Sequence, residues 1–133
     1  MYDELIREAQ AALERAYAPY SGYRVGAAIL CGGKVYAGAN VENASYGLSM
    51  CAERSAVFAA ISAGAPRSIE AVAIAVAIGR PSPCGACRQV LREFGQDFPV
   101  FLVGADGKVN ETSLARLLPD SFGPDSLPRE EKI

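Results

Sequence analysis

The sequence predicts a three-layer α/β/α domain built on a mixed sheet. Segments with helix periodicity alternate with segments of strand character along most of the 133 residues. The run from Ala71 to Ile78 is almost unbroken Ala, Val and Ile, as expected of a strand covered on both faces. The short turn Cys31-Gly32-Gly33-Lys34 between two strand-like segments opens the sheet with an antiparallel hairpin. The length suits one domain spanning residues 1–133, with a flexible tail from about residue 123.

Residues 2–17 set Leu5, Ile6, Ala9, Ala12, Leu13 and Ala16 at helical spacing opposite a charged face, and Ala18-Pro19 ends the run. Tyr23 to Leu30 and Val35 to Ala39 read as the two strands of the hairpin, and Asn40 to Met50 as an irregular loop. Cys51 to Ala63 is alanine-rich with apolar residues three and four apart, and stops at Gly64-Ala65-Pro66. After the central strand come a loop from Gly79 to Pro83, a helix from Gly85 to Phe94 and an apolar strand from Pro99 to Val103. Thr112 to Leu117 reads as a short closing helix capped by Thr112, and the segment from Pro119 as loop. The order helix, strand, strand, helix, strand, helix, strand, helix implies the opening hairpin followed by parallel crossover units.

Half of the residues are apolar and 21% are charged, which excludes a disordered chain and leaves apolar surface for subunit contacts. A net charge of -2 without a basic stripe argues against nucleic acid as the main partner. Asp3, Glu4, Arg7 and Glu8 interrupt any signal-peptide core, and no apolar run reaches the roughly 20 residues of a membrane span. A cytoplasmic protein without membrane contact is therefore expected. In a reducing compartment four cysteines point to metal rather than to disulfides.

Pro83-Cys84-Gly85-Ala86-Cys87 places two thiols one turn apart at a helix start. Alone, the pair could equally be a redox couple or half of a structural zinc site. Cys51-Ala52-Glu53, 33 residues upstream, also opens a helix and adds a third thiol and a carboxyl. Two helix N-termini converging on one ion favour thiolate over thiol. Three protein ligands leave a tetrahedral position for water, the mark of a catalytic zinc; a closed structural site lacks a fourth ligand, since the chain has no histidine and Cys31 sits in the hairpin turn without a neighbouring cysteine. Glu53 taken alone would be an ordinary first-turn carboxylate; its place two residues after a ligand makes it the candidate proton shuttle.

The pattern Cys51-x-Glu53 with Pro83-Cys84-x-x-Cys87 is that of the zinc deaminases, in their three-cysteine form. The chain further resembles the small homotetrameric cytidine deaminases in Tyr20-Ser21-Gly22-Tyr23-Arg24-Val25-Gly26-Ala27-Ala28, Asn40-Val41-Glu42-Asn43-Ala44-Ser45-Tyr46, Cys51-Ala52-Glu53-Arg54, Pro83-Cys84-Gly85-Ala86-Cys87-Arg88-Gln89-Val90-Leu91 and Leu117-Leu118-Pro119-Asp120-Ser121-Phe122. The resemblance implies a roughly five-stranded sheet, one Zn2+ per subunit held by Cys51, Cys84 and Cys87, and hydrolytic deamination of cytidine and 2′-deoxycytidine in pyrimidine salvage. It implies that Asn40 and Glu42 bind the ribose hydroxyls, that Ala52, Tyr23 and Phe122 lie beside the base, and that Ala44 and Tyr46 reach into a neighbouring subunit's site. Tyr23 stands where the family more often has phenylalanine. Arg54 is expected to donate to the zinc-bound sulfurs, offsetting the formal charge of -1 of three thiolates around Zn2+.

Three other readings stand beside this one. A related enzyme could act on another aminopyrimidine, such as the nucleoside antibiotic blasticidin S. A zinc-stabilised binding module would keep the fold without turnover, although the presence of Glu53 speaks against it. Polynucleotide editing would need a basic groove that the acidic chain lacks.

Overall fold

The computed structural model describes residues 2–128. Helix α1 (Asp3–Ala12) continues as a 3-10 turn (Leu13–Arg15), shorter than the segment 2–17 that periodicity suggested. Strands β1 (Val25–Cys31) and β2 (Lys34–Ala39) form the hairpin, with Gly32 and Gly33 both at positive φ (58° and 76°), the pairing that a tight two-residue turn requires. Helix α2 (Ala52–Ser62), strand β3 (Ala71–Val76), helix α3 (Gly85–Arg92) and strand β4 (Pro99–Val103) follow. A fifth strand, β5 (Val109–Ser113), precedes the short helix α4 (Leu114–Leu117).

Strand β5 corrects the sequence reading at that point. Thr112 is not a helix cap: it pairs with Val100 across the β4–β5 ladder, and Ser113 caps α4 by accepting from the Arg116 amide at 3.3 Å. Within the expected flexible tail, Pro124–Ser126 forms a 3-10 turn, and residues 129–133 lie outside the described residues.

The sheet order is β2-β1-β3-β4-β5. Only β3 and β4 pair in parallel; β1 is antiparallel to both β2 and β3, and β5 is antiparallel to β4. The sheet thus has one adjacent parallel crossover, through α3, where the sequence suggested a series of them. Because β2 and β3 both run opposite to β1, their C-terminal ends lie at the same end of the sheet. The helices that follow them, α2 and α3, therefore begin near each other.

Alternation along β3 builds two cores. Val72 and Ile74 pack with Ala56, Val57 and Ala60 of α2 and Leu91 of α3. Ala71, Ala73 and Ala75 point to the other face, where Leu5 and Ala9 of α1 cover them. Small residues allow both helices to approach closely. A Cβ on Gly26 would lie 2.2 Å from the Ala9 carbonyl oxygen, and one on Gly38 would lie 2.5 Å from the Ala56 amide nitrogen. The close seat of α2 against β2 fixes where its N-terminus ends up.

Candidate active site

Cys51 is the N-cap of α2 and Cys84 the N-cap of α3, both in extended conformation, which turns their side chains toward the gap between the two helix starts. Cys87, one turn into α3, is fully buried and its amide donates to the Cys84 Sγ at 3.4 Å. The three sulfurs lie within 4.8 Å of one another, and Cys51 and Cys84 are 3.9 Å apart. Tetrahedral zinc with Zn–S bonds near 2.3 Å puts its sulfurs about 3.8 Å apart, so the donor set and its spacing fit that ion. Cys31 lies elsewhere, buried among Ile29, Val57, Ala60 and Ile69 in the core under α2.

The electrostatics of the cluster favour thiolate at Cys51. Hydrogen bonding with Cys87 holds the Cys51 thiol well below its ordinary range, and Arg54 contributes in the same direction. Cys87 moves up because it keeps the shared proton and is buried. Arg54 Nη2 donates to the Cys51 Sγ at 3.2 Å, and this contact raises the already high guanidinium value further. Among the described residues the buried Nε of Arg54 meets no acceptor.

Beside the sulfurs is a cavity of about 260 Å3. Of the residues singled out from sequence, Tyr23, Asn40, Glu42, Ala52 and Glu53 line it together with Cys51 and Cys84. Glu53 is 5% exposed, and burial raises its carboxyl above the usual range. Tyr23 is shifted up as well, first by burial and then by the negative charge of Glu53, which sets the two groups in mutual electrostatic reach.

Asn40 and Glu42 lie just past the end of β2, where bridges from Val41 to Tyr17 and Met50 prolong the strand-like alternation. The Asn40 Oδ1 accepts from the Val25 amide at 2.9 Å and its Nδ2 donates to the Tyr23 carbonyl at 2.8 Å. That leaves one amide hydrogen and one lone pair for a further partner. Glu42 accepts from the amides of Tyr20 and Ser21 at 3.0 and 3.1 Å and from the Ser21 hydroxyl.

Three of the candidate substrate-binding residues are outside this cavity within the chain. Ala44 is exposed; Tyr46 is 74% exposed and packs its ring 5.8 Å from that of Tyr20; Phe122 is 60% exposed. Seven wall residues were missed from sequence: the apolar floor Val25, Ile74 and Val76, and the loop residues Ser49, Met50, Pro81 and Ser82. The signal for the four loop residues was position, since each pair stands just before a helix-start cysteine, whereas the three strand residues read from sequence as core.

The residues around the site carry a family likeness that comparison with known proteins makes explicit. Residues 1–103 match the family described as the cytidine and deoxycytidylate deaminase zinc-binding region. Cytidine deaminase from Sporosarcina psychrophila is 46% identical over 128 residues, covering 94% of this chain and 93% of that one. Cytidine deaminase from Halalkalibacterium halodurans is 48% identical over 126 residues, with 92% and 95% covered. The crystal structure of cytidine deaminase from Burkholderia pseudomallei superposes with a TM-score of 0.85 at 50% identity, covering 92% of this chain and 99% of that one. Since the matched region takes in all three clustered cysteines and Glu53, and the likeness runs through sequence and fold alike, the chain belongs to the cytidine and deoxycytidylate deaminases, which are hydrolases.

Proposed function

We propose that this chain hydrolyses cytidine and 2′-deoxycytidine to uridine and 2′-deoxyuridine with release of ammonia. We place it in pyrimidine salvage in the cytoplasm, as a homotetramer with one zinc ion per subunit. The observation that carries the reaction is Glu53: a buried carboxyl, raised by its surroundings, in the wall of a cavity that two of the three clustered cysteines also line. A buried carboxyl with raised proton affinity can serve as both acid and base toward a nucleobase held in the cavity.

Zinc held by Cys51, Cys84 and Cys87 would supply the Lewis acidity that lets water act as a nucleophile near neutral pH. Glu53 takes the proton of the attacking water on a carboxylate oxygen and passes it to the ring nitrogen N3 as the C4–oxygen bond forms. It then relays the remaining water proton to the 4-amino group as the C4–nitrogen bond breaks, so water and cytidine leave as uridine and ammonia. Arg54 offsets the excess negative charge of the thiolates by donating to Cys51. Tyr23 and Ala52 flank the base, and the unused amide hydrogen and lone pair of Asn40, with the Glu42 carboxylate, receive the sugar hydroxyls.

The exposure of Ala44, Tyr46 and Phe122 supports a site completed between subunits, because apolar and aromatic groups left in solvent on one chain are what a neighbour would cover. No helix among the described residues is long and apolar enough to cross a membrane.

The loss of ultraviolet absorbance on mixing zinc-loaded protein with cytidine, deoxycytidine, cytosine, CMP and blasticidin S, with and without chelator, tests the proposal. Turnover of the two nucleosides that a chelator abolishes is the expected result; absence of turnover on cytidine would overturn it.

A further inference from the structure

The loop that delivers Cys84 to the site is poorly secured by its own backbone. Among the described residues, no backbone–backbone hydrogen bond involves residues 80–83, and two of those four residues are prolines without an amide hydrogen. Yet Pro81 and Ser82 form cavity wall, and Pro83 precedes a metal ligand. Their position has to be set from outside the loop.

One side chain does so. Arg88, on the first turns of α3, donates through Nε to the Pro83 carbonyl at 2.8 Å and through Nη2 to the Ser82 hydroxyl at 3.1 Å. Its Nη1 donates to the Leu117 carbonyl at the end of α4, at 2.6 Å. Its own amide donates to the Cys84 carbonyl at 3.0 Å. No carboxylate pairs with the guanidinium among the described residues, so its donors go to three neutral acceptors on two separate segments. A surface arginine serving solubility or an ion pair would not be committed in this way. The planar fork fixes the directions of all three bonds at once, which a lysine ammonium cannot do.

We propose that Arg88 is a positioning residue of the reaction site: it pins Ser82 and Pro83 to α4 and thereby aims the Cys84 sulfur and the Pro81–Ser82 wall. It touches neither substrate nor metal and acts through the loop. The inference rests on the reading that Cys51, Cys84 and Cys87 hold the metal beside the reacting base.

The test compares wild type with Arg88→Met and Arg88→Lys after substitution of the metal by cobalt(II), whose thiolate charge-transfer and ligand-field bands report the geometry at Cys84. Leu5→Ala, in the core on the other side of the sheet, serves as a control for general loss of stability. The expected result is shifted cobalt bands in both Arg88 variants, zinc surrendered to a competing chelator about tenfold more readily, and a several-fold rise in KM for cytidine. Leu5→Ala lowers the melting temperature with wild-type bands and KM. Wild-type bands and KM in Arg88→Met, or in Arg88→Lys if the first variant does not fold, overturn the proposal. Band shifts in a protein whose wild type does not turn over cytidine would count against the proposed reaction and still support the positioning role.

Discussion

The Arg54 guanidinium donates to the Cys51 sulfur at 3.2 Å from three residues further along the chain, so the cation is built into the element that presents that sulfur. Zinc bound by three thiolates would carry a net charge of -1 that weakens it as a Lewis acid, and on the proposed function Arg54 would draw part of that charge away. Arg54→Gln is expected to lower kcat about 10- to 100-fold and to loosen zinc, read from turnover and from release to a chromogenic chelator. If neither changes, Arg54 has no part in tuning the site.

Glu53→Gln keeps the shape of the side chain and removes its ability to carry a proton. The variant should retain its metal while kcat/KM falls about 10²- to 10⁴-fold, the usual contribution of a positioned acid or base. Metal analysis alongside the absorbance assay separates the two effects, and a variant that lost zinc would move Glu53 into the ligand set.

Cys84→Ala and Cys31→Ala distinguish a ligand from a core thiol. The first leaves two sulfurs and should lose both metal and thermal stability together. The second, buried under α2, should keep its full metal content and cost only about 1 kcal/mol in a denaturant titration. Equal metal loss in both would mean that the cluster is not the binding site.

Most of this arrangement was legible in the sequence, for different reasons in different places. Cys51 and Cys84 each open a helix, and a helix start is marked by residue type and spacing, so the convergence of the cysteines could be read without coordinates. Strand β3 was legible because burial on both faces leaves an unbroken apolar run. Strand β5 was not, because it is the edge of the sheet: Val109, Asn110 and Glu111 are exposed and the half-buried Thr112 and Ser113 are polar, so no hydrophobic alternation marks it. Its one signal was Asp106-Gly107, where Gly107 sits at φ 84° and the Asp106 carboxylate accepts from the Lys108 amide. The engagement of Asn40 and Glu42 with backbone near Tyr23 and Ser21 was out of reach as well, since it depends on how loop 17–24 folds back over the end of β2.

That fold-back gives a pH dependence. The Ser21 hydroxyl, followed by the backbone amides of Ser21 and Tyr20, holds the half-buried Glu42 carboxyl below the usual carboxylate range. A depressed value in the folded state means that the contribution is present above the unfolded pKa, near 4.3, and is lost as pH falls through the folded one. The turn at Tyr20 and Ser21 should therefore loosen only in acid, below about pH 4. Ser21→Ala should move the Glu42 titration upward in an NMR experiment, and an unmoved titration would show that the two backbone amides suffice.

Gly26 tests how the second core is closed. Its φ is not in the left-handed region, so the requirement for glycine comes from contact alone: an added Cβ would meet the Ala9 carbonyl oxygen at 2.2 Å and the Leu13 amide nitrogen at 2.9 Å. Both are backbone atoms of the α1 segment and cannot rotate away, so the helix itself must move. Gly26→Ala should cost about 1–3 kcal/mol, the usual range for overpacking, seen as a lower urea midpoint. Gly33→Ala, with φ 76° and open space around its Cβ, carries only the backbone strain and should cost about 1 kcal/mol. Because α1 lies across the sheet from α2 and α3, Gly26→Ala should leave metal content unchanged, and a parallel loss of zinc would show that the two faces of the sheet are coupled.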